Sequence, residues 1–227
     1  MPAVLAAVLP LRLWRRFREL GPRAAFERAA GRLLRALWWQ EEHVWYALPT
    51  EGVSGSLPAG YSLARLRGER SLRELLTRGI EVASAAAYVA AGGELWLLEG
   101  ATGDLAFMCW IFRERAPALA APGGWFRPPA GSAVLEDSFT APAHRGRGLA
   151  PAVWRKICAA LVDERIATLL TKVEVTNMPS RRACEKAGFE EVGRMRYRRR
   201  GLRREVVIEG SDPRADALRQ ALIAESG

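Results

Sequence analysis

Residues 145–150 have the types and spacing of a phosphate-binding loop. They read Arg145, Gly146, Arg147, Gly148, Leu149 and Ala150, and they lie between a predicted strand over 134–140 and a predicted amphipathic helix over 148–163. The two glycines let the backbone approach a ligand and present successive N–H groups, and the start of a helix adds its positive dipole. The two arginines add charge at the same place. This pattern predicts a cradle for a phosphate or pyrophosphate, although a simple tight turn is an alternative for the loop taken alone.

A second informative segment follows the next predicted strand, over 168–175. Asn177 is suited to cap a short helix whose first turn holds Pro179 and Ser180, and Gly188 is suited to end it before Phe189. Together the two segments resemble the GNAT N-acetyltransferase superfamily. Its first motif, R/Q-x-x-G-x-G/A, matches Arg145, Gly148 and Ala150, and its second, N-x-x-S/A followed by G-F, matches Asn177, Ser180, Gly188 and Phe189. The motifs cover about residues 131–197, and the strand order extends the likeness to about 43–209.

The resemblance implies acetyl-CoA as co-substrate, held in a V-shaped opening between two central strands. Backbone amides from Arg147 to Ala150 would hold its pyrophosphate. Arg145 and Gly146 of the same loop, and Asn177 and Ser180 of the second motif, would also lie at the cofactor. Phe139 and Thr140 would contact the acetyl group and the pantetheine. A backbone N–H there would polarise the thioester carbonyl.

Glu136 and Asp137 are the candidate general bases, because a neutral amine must be generated for attack on a thioester. Side chains alternate along a strand, so one of the two is expected to face the cleft; the resemblance favours Glu136. Binding of a cationic substrate without proton transfer is the alternative, since proximity supplies much of the rate. Cys184 occupies the position at which many relatives carry a tyrosine acid. It is a candidate proton donor to the leaving thiolate, or else a buried packing residue, and Tyr197 is a further candidate acid.

The pattern of strands and helices predicts an α/β fold with a mixed, mostly antiparallel central sheet flanked by helices. Residues 1–40 are predicted to form a basic amphipathic helical extension, 41–210 the GNAT domain and 211–227 a C-terminal helix. The final strands, around Gly201, are too closely connected for a parallel crossover. That spacing argues against a doubly wound parallel sheet.

Composition narrows the class of protein. The chain has 227 residues, 49% of them hydrophobic, and a formal net charge of +9. Three cysteines and two histidines predict neither a disulfide framework nor a zinc site, so no metal is expected. Reduced thiols and the lack of an 18-residue apolar run predict a cytoplasmic protein.

We therefore expect an N-acyltransferase that moves an acetyl group from acetyl-CoA to a primary amine of a small molecule or peptide. Two alternatives stay open. One is an acyl-CoA-binding accessory protein, peripheral at the inner membrane face through the Arg- and Trp-containing residues 1–38. The other is a nucleic-acid-associated binder using the arginines of the final strand pair, disfavoured because Tyr197 is the sole aromatic residue among them.

Overall fold

The computed structural model describes residues 38–80, 84–201 and 203–224. The strands longer than two residues are β1 (Trp38–Pro49), β2 (Ser62–Leu66), β3 (Glu94–Glu99), β4 (Leu105–Phe112), β7 (Ser132–Thr140), β8 (Thr168–Glu174), β9 (Glu190–Arg200) and β10 (Arg203–Glu209); β5 (Ala116–Pro117) and β6 (Trp125–Phe126) form a short separate pair. The helices are α1 (Glu69–Thr77), α2 (Ala85–Ala90), α3 (Leu149–Asp163), α4 (Met178–Ala187) and α5 (Pro213–Ile223).

The eight longer strands form one sheet in the order β10-β9-β1-β8-β7-β4-β3-β2. β7 and β8 pair in parallel, whereas β1–β8, β2–β3, β3–β4 and β4–β7 are antiparallel. Parallel neighbours require a crossover, and α3 supplies it between β7 and β8. The predicted mixed, mostly antiparallel sheet with flanking helices is confirmed.

One face of the sheet is covered by α3 and α4. On α3 the side chains of Leu149, Val153, Ile157 and Leu161 are buried at helical spacing, as the sequence predicts. They join alternate residues of the strands, such as Phe107, in one core cluster. Burying each such aliphatic side chain contributes about 1.5–3 kcal/mol before ordering costs.

The opposite face carries the other set of alternating residues and is rich in aromatic rings. Tyr88 of α2 packs edge-on against Trp110 and Phe112 of β4, with ring centroids 5.4 and 5.1 Å apart, and against Trp125 of β6 at 6.2 Å. Edge-to-face contacts of this kind add to the gain from area burial alone. This aromatic face of the sheet is the one that the acidic residues of β7 reach.

An ion-pair network ties the ends of β2 and β3 to the end of α3. Arg65 Nε lies 2.8 Å from Glu94 and Arg65 Nη1 lies 2.6 Å from Glu164, while Arg113 contacts the same two carboxylates at 2.7 Å each. Burial opposes ionisation of Glu164, but the hydrogen bond from Arg65 and the charge of Arg113 outweigh it and lower the pKa of Glu164. The network therefore stabilises the folded state at neutral pH.

The contacts divide the chain into two units. The larger holds residues 42–196 and 206–224 and contains every site residue described below. The described part of the smaller unit is 38–41 with 197–201 and 203–205, in which the Arg200 guanidinium lies 5.2 Å from the centre of the Trp38 ring.

Three further features complete the fold. Residues 1–37 of the predicted helical extension lie outside the described residues, and Trp38, Trp39 and Gln40 belong to β1 rather than to that extension. The segment 116–130 contains the β5–β6 pair and a 3-10 turn at Pro122–Gly124. Among the helices that the structure describes, none has the length and apolar character needed to cross a membrane.

Candidate active site

The loop before α3 forms an open cradle of backbone groups. Gly146 and Gly148 have left-handed φ angles of 76° and 70°, and Gly148 caps α3 without a side-chain hydrogen bond. A Cβ added at either glycine would meet no atom within 4 Å, so the space above the loop is open to a ligand. The first N–H groups of a helix have no intrahelical acceptor. This geometry fits an anion such as a pyrophosphate.

A cavity of about 600 Å³ extends from this cradle. It runs from the end of β7, past the loop and the first turns of α3, to α4. Its apolar wall includes Phe107 and Trp154, while Arg145, Arg182 and Lys186 supply positive charge. A groove with an apolar part and a cationic part fits a molecule that combines an apolar arm with phosphates.

Most of the predicted cofactor-binding residues line this cavity. They are Phe139, Thr140, Arg145, Gly146, Gly148, Leu149, Ala150 and Ser180. Arg147 does not line it, because its guanidinium donates to the Tyr61 hydroxyl at 3.0 Å. Asn177 lies outside the lining too, and its Oδ1 accepts from the Ser180 N–H at 3.2 Å, which confirms the predicted helix cap.

The parallel strands β7 and β8 separate beside the cavity. Their register pairs Ser132 to Leu135 with Thr168 to Thr171, and within the described chain the ladder goes no further, although both strands continue. The Thr171 hydroxyl donates to the Leu135 carbonyl at 2.9 Å, at the last pair. From Ser138 to Thr140, where β7 lines the cavity, the described chain shows no ladder between β7 and β8.

A β-bulge changes the direction of the acidic side chains on β7. Pairing with β4 shifts between Met108 and Trp110, and Asp137 has a φ of 49°, which is left-handed and uncommon for a residue other than glycine. Glu136 therefore reaches Lys172, and Asp137 reaches Tyr88, both on the aromatic face. The expected alternation of these two side chains is wrong, because the bulge inserts an extra residue and turns Asp137 to the same side as Glu136.

Glu136 is held in an ion pair with Lys172. Both side chains are only 11% exposed, and the Lys172 ammonium also donates to the Pro117 carbonyl at 3.1 Å and lies 5.8 Å from the centre of the Trp45 ring. Removing one partner from such a pair leaves an uncompensated charge, which is strongly destabilising. Oε1 of the Glu136 carboxylate is therefore engaged in the ion pair with Lys172.

Asp137 is exposed and accepts a hydrogen bond from the Tyr88 hydroxyl at 2.7 Å. Burial first, and then this hydrogen bond, raise the pKa of Tyr88, so the phenol stays protonated and keeps donating. The remaining Asp137 oxygen faces the aromatic side of the sheet, where it is available to an incoming cation or amine.

Cys184 lies in the core and not on the cavity wall. The residue is 1% exposed on α4, between lining positions 183 and 186. Burial raises the pKa of Cys184 to about 12, which makes the thiol a poor proton donor at neutral pH. This environment agrees with the packing role. Cys109 and Cys158 are likewise buried and form no disulfide bond. Within the described residues, no three His, Cys, Asp or Glu side chains lie close enough together to hold a metal ion.

The sequence reasoning missed several residues of the site. Arg182 and Lys186 are four apart on α4, and that spacing alone would have placed both charges on one face. Lys172, His144 and Tyr61 come from separate elements, and no local pattern relates them to the motifs.

Comparison with known proteins completes the description. Residues 12–189 match the family model described as the acetyltransferase (GNAT) family. No curated protein matches significantly. Among solved structures, similarity is found to a GNAT-family protein from Novosphingobium aromaticivorans (19% identity, 69% of this chain and 62% of that one, TM-score 0.49). A GCN5-related N-acetyltransferase from Sphaerobacter thermophilus is 14% identical over 82% of this chain and 59% of that one, with a TM-score of 0.48.

A structure from Clostridium acetobutylicum, described as a predicted acetyltransferase with acetyl-CoA, is 14% identical over 58% of this chain and 91% of its own, with a TM-score of 0.37. The chain thus spans less than two thirds of the first two structures. The family model covers well over half of the chain. The matched range includes the glycine cradle, the strand β7 with Glu136 and Asp137, and the capped helix α4. The chain therefore belongs to the GNAT family of acetyltransferases.

Proposed function

We propose that this protein transfers an acetyl group from acetyl-CoA to a primary amine of a small molecule or peptide. The observation that carries the proposal is the 600 Å³ cavity, which joins the open glycine cradle to Ser138–Thr140, the part of β7 that lies beyond its last pair with β8. A phosphate-binding end and a thioester-binding end are thereby connected by one groove.

The cradle is the pyrophosphate end of this site. Backbone N–H groups of the loop and of the first turn of α3 donate to phosphate oxygens, and Arg145, Arg182 and Lys186 neutralise their charge. The pantetheine arm lies along Phe139 and Thr140 toward the separated strands. An N–H of β7 that lacks a ladder partner there donates to the thioester carbonyl, and it stabilises the negative charge that develops on the oxygen.

The amine approaches from the aromatic face, where Asp137 and Glu136 both point. Asp137 binds the cationic amine, because the residue is exposed and Tyr88 fixes the orientation of its carboxylate. Glu136, the base that the family resemblance favours, is paired with Lys172 and takes the amine proton through a water molecule. Held against the thioester, the amine gains further rate from proximity.

The reaction balances with these groups alone. The amine nitrogen forms a bond to the carbonyl carbon, the carbon–sulfur bond breaks, and the amine proton passes to a carboxylate and then to solvent. CoA leaves as its thiolate and takes a proton from water, so Cys184 has no part in the step.

The direct test is a binding and turnover experiment. Calorimetry should show acetyl-CoA binding in the micromolar range, with a rise in melting temperature from ligand linkage. A panel of primary amines, with thiol release as the readout, should then identify an acceptor. A folded protein that binds no acetyl-CoA, or that binds it and acetylates none of a broad amine panel, would contradict the proposal.

Localisation in the cytoplasm is part of this proposal. The membrane-peripheral alternative depends on residues 1–37, outside the described residues, and vesicle flotation with and without 1–38 tests it. Two ion pairs on β9 argue against the nucleic-acid alternative. Arg194 pairs with Glu191 and Arg196 pairs with Glu42, so part of the positive charge of this strand is already neutralised within the protein. A steep salt dependence of RNA or DNA binding would favour it.

A further inference from the structure

A chain of hydrogen bonds connects the glycine loop to the turn between β3 and β4. Arg147 Nη1 lies 3.0 Å from the Tyr61 hydroxyl, which lies 3.0 Å from His144 Nδ1. On the other side of the ring, His144 Nε2 lies 2.5 Å from Asp104 Oδ2. Thr102 donates to the second oxygen of Asp104. Four side chains from three segments of the chain thus form one connected path, which we call the Arg147 brace (Arg147, Tyr61, His144 and Asp104).

The donors and acceptors of the Arg147 brace are consistent along its whole length. A guanidinium can only donate, so the Tyr61 oxygen accepts from Arg147 and its own hydrogen is left for His144 Nδ1. With Nδ1 as the acceptor from Tyr61, Nε2 is the ring atom that donates to Asp104. Two hydrogen bonds lower the pKa of Asp104: the one from Thr102 has the larger effect and the one from His144 the smaller. The carboxylate at this end of the brace is therefore ionised and held by both residues.

The brace is packed as well as hydrogen-bonded. His144 is 9% exposed, and its ring meets that of Tyr61 edge-on with centroids 5.7 Å apart. A Cβ added at Gly100 would lie 2.6 Å from Asp104 Oδ1 and 3.3 Å from His144 Cε1. The β3–β4 turn is therefore built closely around the Asp104–His144 pair.

The glycine loop needs such a restraint. Arg147 stands between two glycines with left-handed φ angles, and glycine has the greatest backbone freedom of any residue. A loop that samples many conformations must lose that freedom when its amides bind a phosphate, which lowers affinity. Because Arg147 points to Tyr61 and not into the cavity, its side chain restrains the backbone of the loop without occupying the ligand space.

We propose that Tyr61 and His144 are positioning residues for the anionic part of the acyl donor. Through Arg147 they hold the loop of residues 145–150 in the conformation that presents its amides to the cavity. This inference rests on the proposed function, since it takes acetyl-CoA as the ligand of the cradle.

Calorimetry of acetyl-CoA binding to the full chain tests the proposal with four proteins. These are the wild type, Tyr61→Phe, Arg147→Met and the double variant, each checked for an unchanged far-ultraviolet spectrum. Tyr61→Phe should weaken binding by about three- to tenfold, the factor that corresponds to the net contribution of one solvent-exposed hydrogen bond. In a protein that already carries Arg147→Met, Tyr61→Phe should weaken binding little further, because the hydrogen bond between Arg147 and Tyr61 is already absent.

Arg127→Met is the matched control for Arg147→Met. It removes one exposed arginine outside the cavity lining, and it therefore isolates the general attraction of the protein for an anion. Arg127→Met should change the affinity less than Arg147→Met does.

His144 offers a rescue that a merely structural role would not produce. His144→Asn keeps an acceptor close to the position of Nδ1 and should retain more affinity than His144→Ala, which removes the partner of Tyr61. Equal affinity of Tyr61→Phe and wild type, or additive losses in the double variant, would overturn the positioning role and leave the proposed function standing. A wild-type protein that does not bind acetyl-CoA would instead overturn both.

Discussion

Gly148→Val tests the cradle most directly, because it adds bulk at the position where the pyrophosphate must approach. Gly148 has φ 70° and ψ 19°, and no atom lies within 4 Å of its Cβ position, so the added Cβ meets no neighbour in the ligand-free protein. The cost in that state is backbone strain. For an L-residue in the left-handed region this is about 1–2 kcal/mol, which lowers the melting temperature of a chain of this size by about 2–8 °C.

The effect on ligand binding should be larger than the effect on stability. The valine methyls would fill the open space above the loop and prevent a phosphate oxygen from reaching at least one N–H group. A hydrogen bond to a charged group contributes about 1.5–3 kcal/mol, so the dissociation constant for acetyl-CoA should rise by about ten- to a hundredfold.

Gly52→Val provides the matched control. Gly52 also has a left-handed φ, of 73°, with no atom within 4 Å of its Cβ position, and it lies outside the cavity lining. Both variants should lose comparable stability in thermal unfolding, and only Gly148→Val should lose affinity in calorimetry. A folded Gly148→Val protein with wild-type affinity would refute the assignment of the cradle.

Three further predictions concern the acids and the core. Glu136→Gln leaves Lys172 without its carboxylate partner, so its folding is checked first by circular dichroism. In the folded variant the acyl-transfer rate should fall by about 10²–10⁴-fold if Glu136 is the base, whereas Asp137→Asn should act mainly on the acceptor KM if Asp137 only binds the amine. A reversed pattern in steady-state kinetics would assign the base to Asp137. Cys184→Ala should keep transfer within about tenfold, roughly 1.4 kcal/mol in barrier, and a 10³-fold loss of kcat in a folded variant would make the thiol the acid. The pKa of Glu164 is lower in the folded protein than in the unfolded chain. The contribution of Glu164 to the free energy of unfolding is therefore fully present above the ordinary pKa of a carboxylate, and it is lost as the pH falls through the pKa of the folded state. Glu164→Gln should therefore reduce the urea midpoint at pH 7 more than at pH 3, and equal reductions would contradict the ion-pair account.

The sequence by itself determined the local elements and the cofactor end of the site. Periodicity placed α3 and its buried stripe, because the spacing of apolar residues on a helix is a local property. The glycines at 146 and 148, and the cap formed by Asn177, are also local, since φ angles and capping bonds depend on a few consecutive residues. The family resemblance relates residues 145–150 to residues 177–189 from the sequence alone, without any tertiary contact.

The tertiary structure decided which groups meet across the sheet. The bulge at Asp137 arises from the register between β7 and β4, and it reversed the side on which one acid was expected. Lys172 reached Glu136 because β8 lies beside β7, although 36 residues separate the two in sequence. Periodicity reports the face of a strand but not its neighbour or its register, because pairing is set by packing of the whole sheet. For the same reason Tyr61, 86 residues from Arg147, could be connected with the glycine loop only in the folded chain.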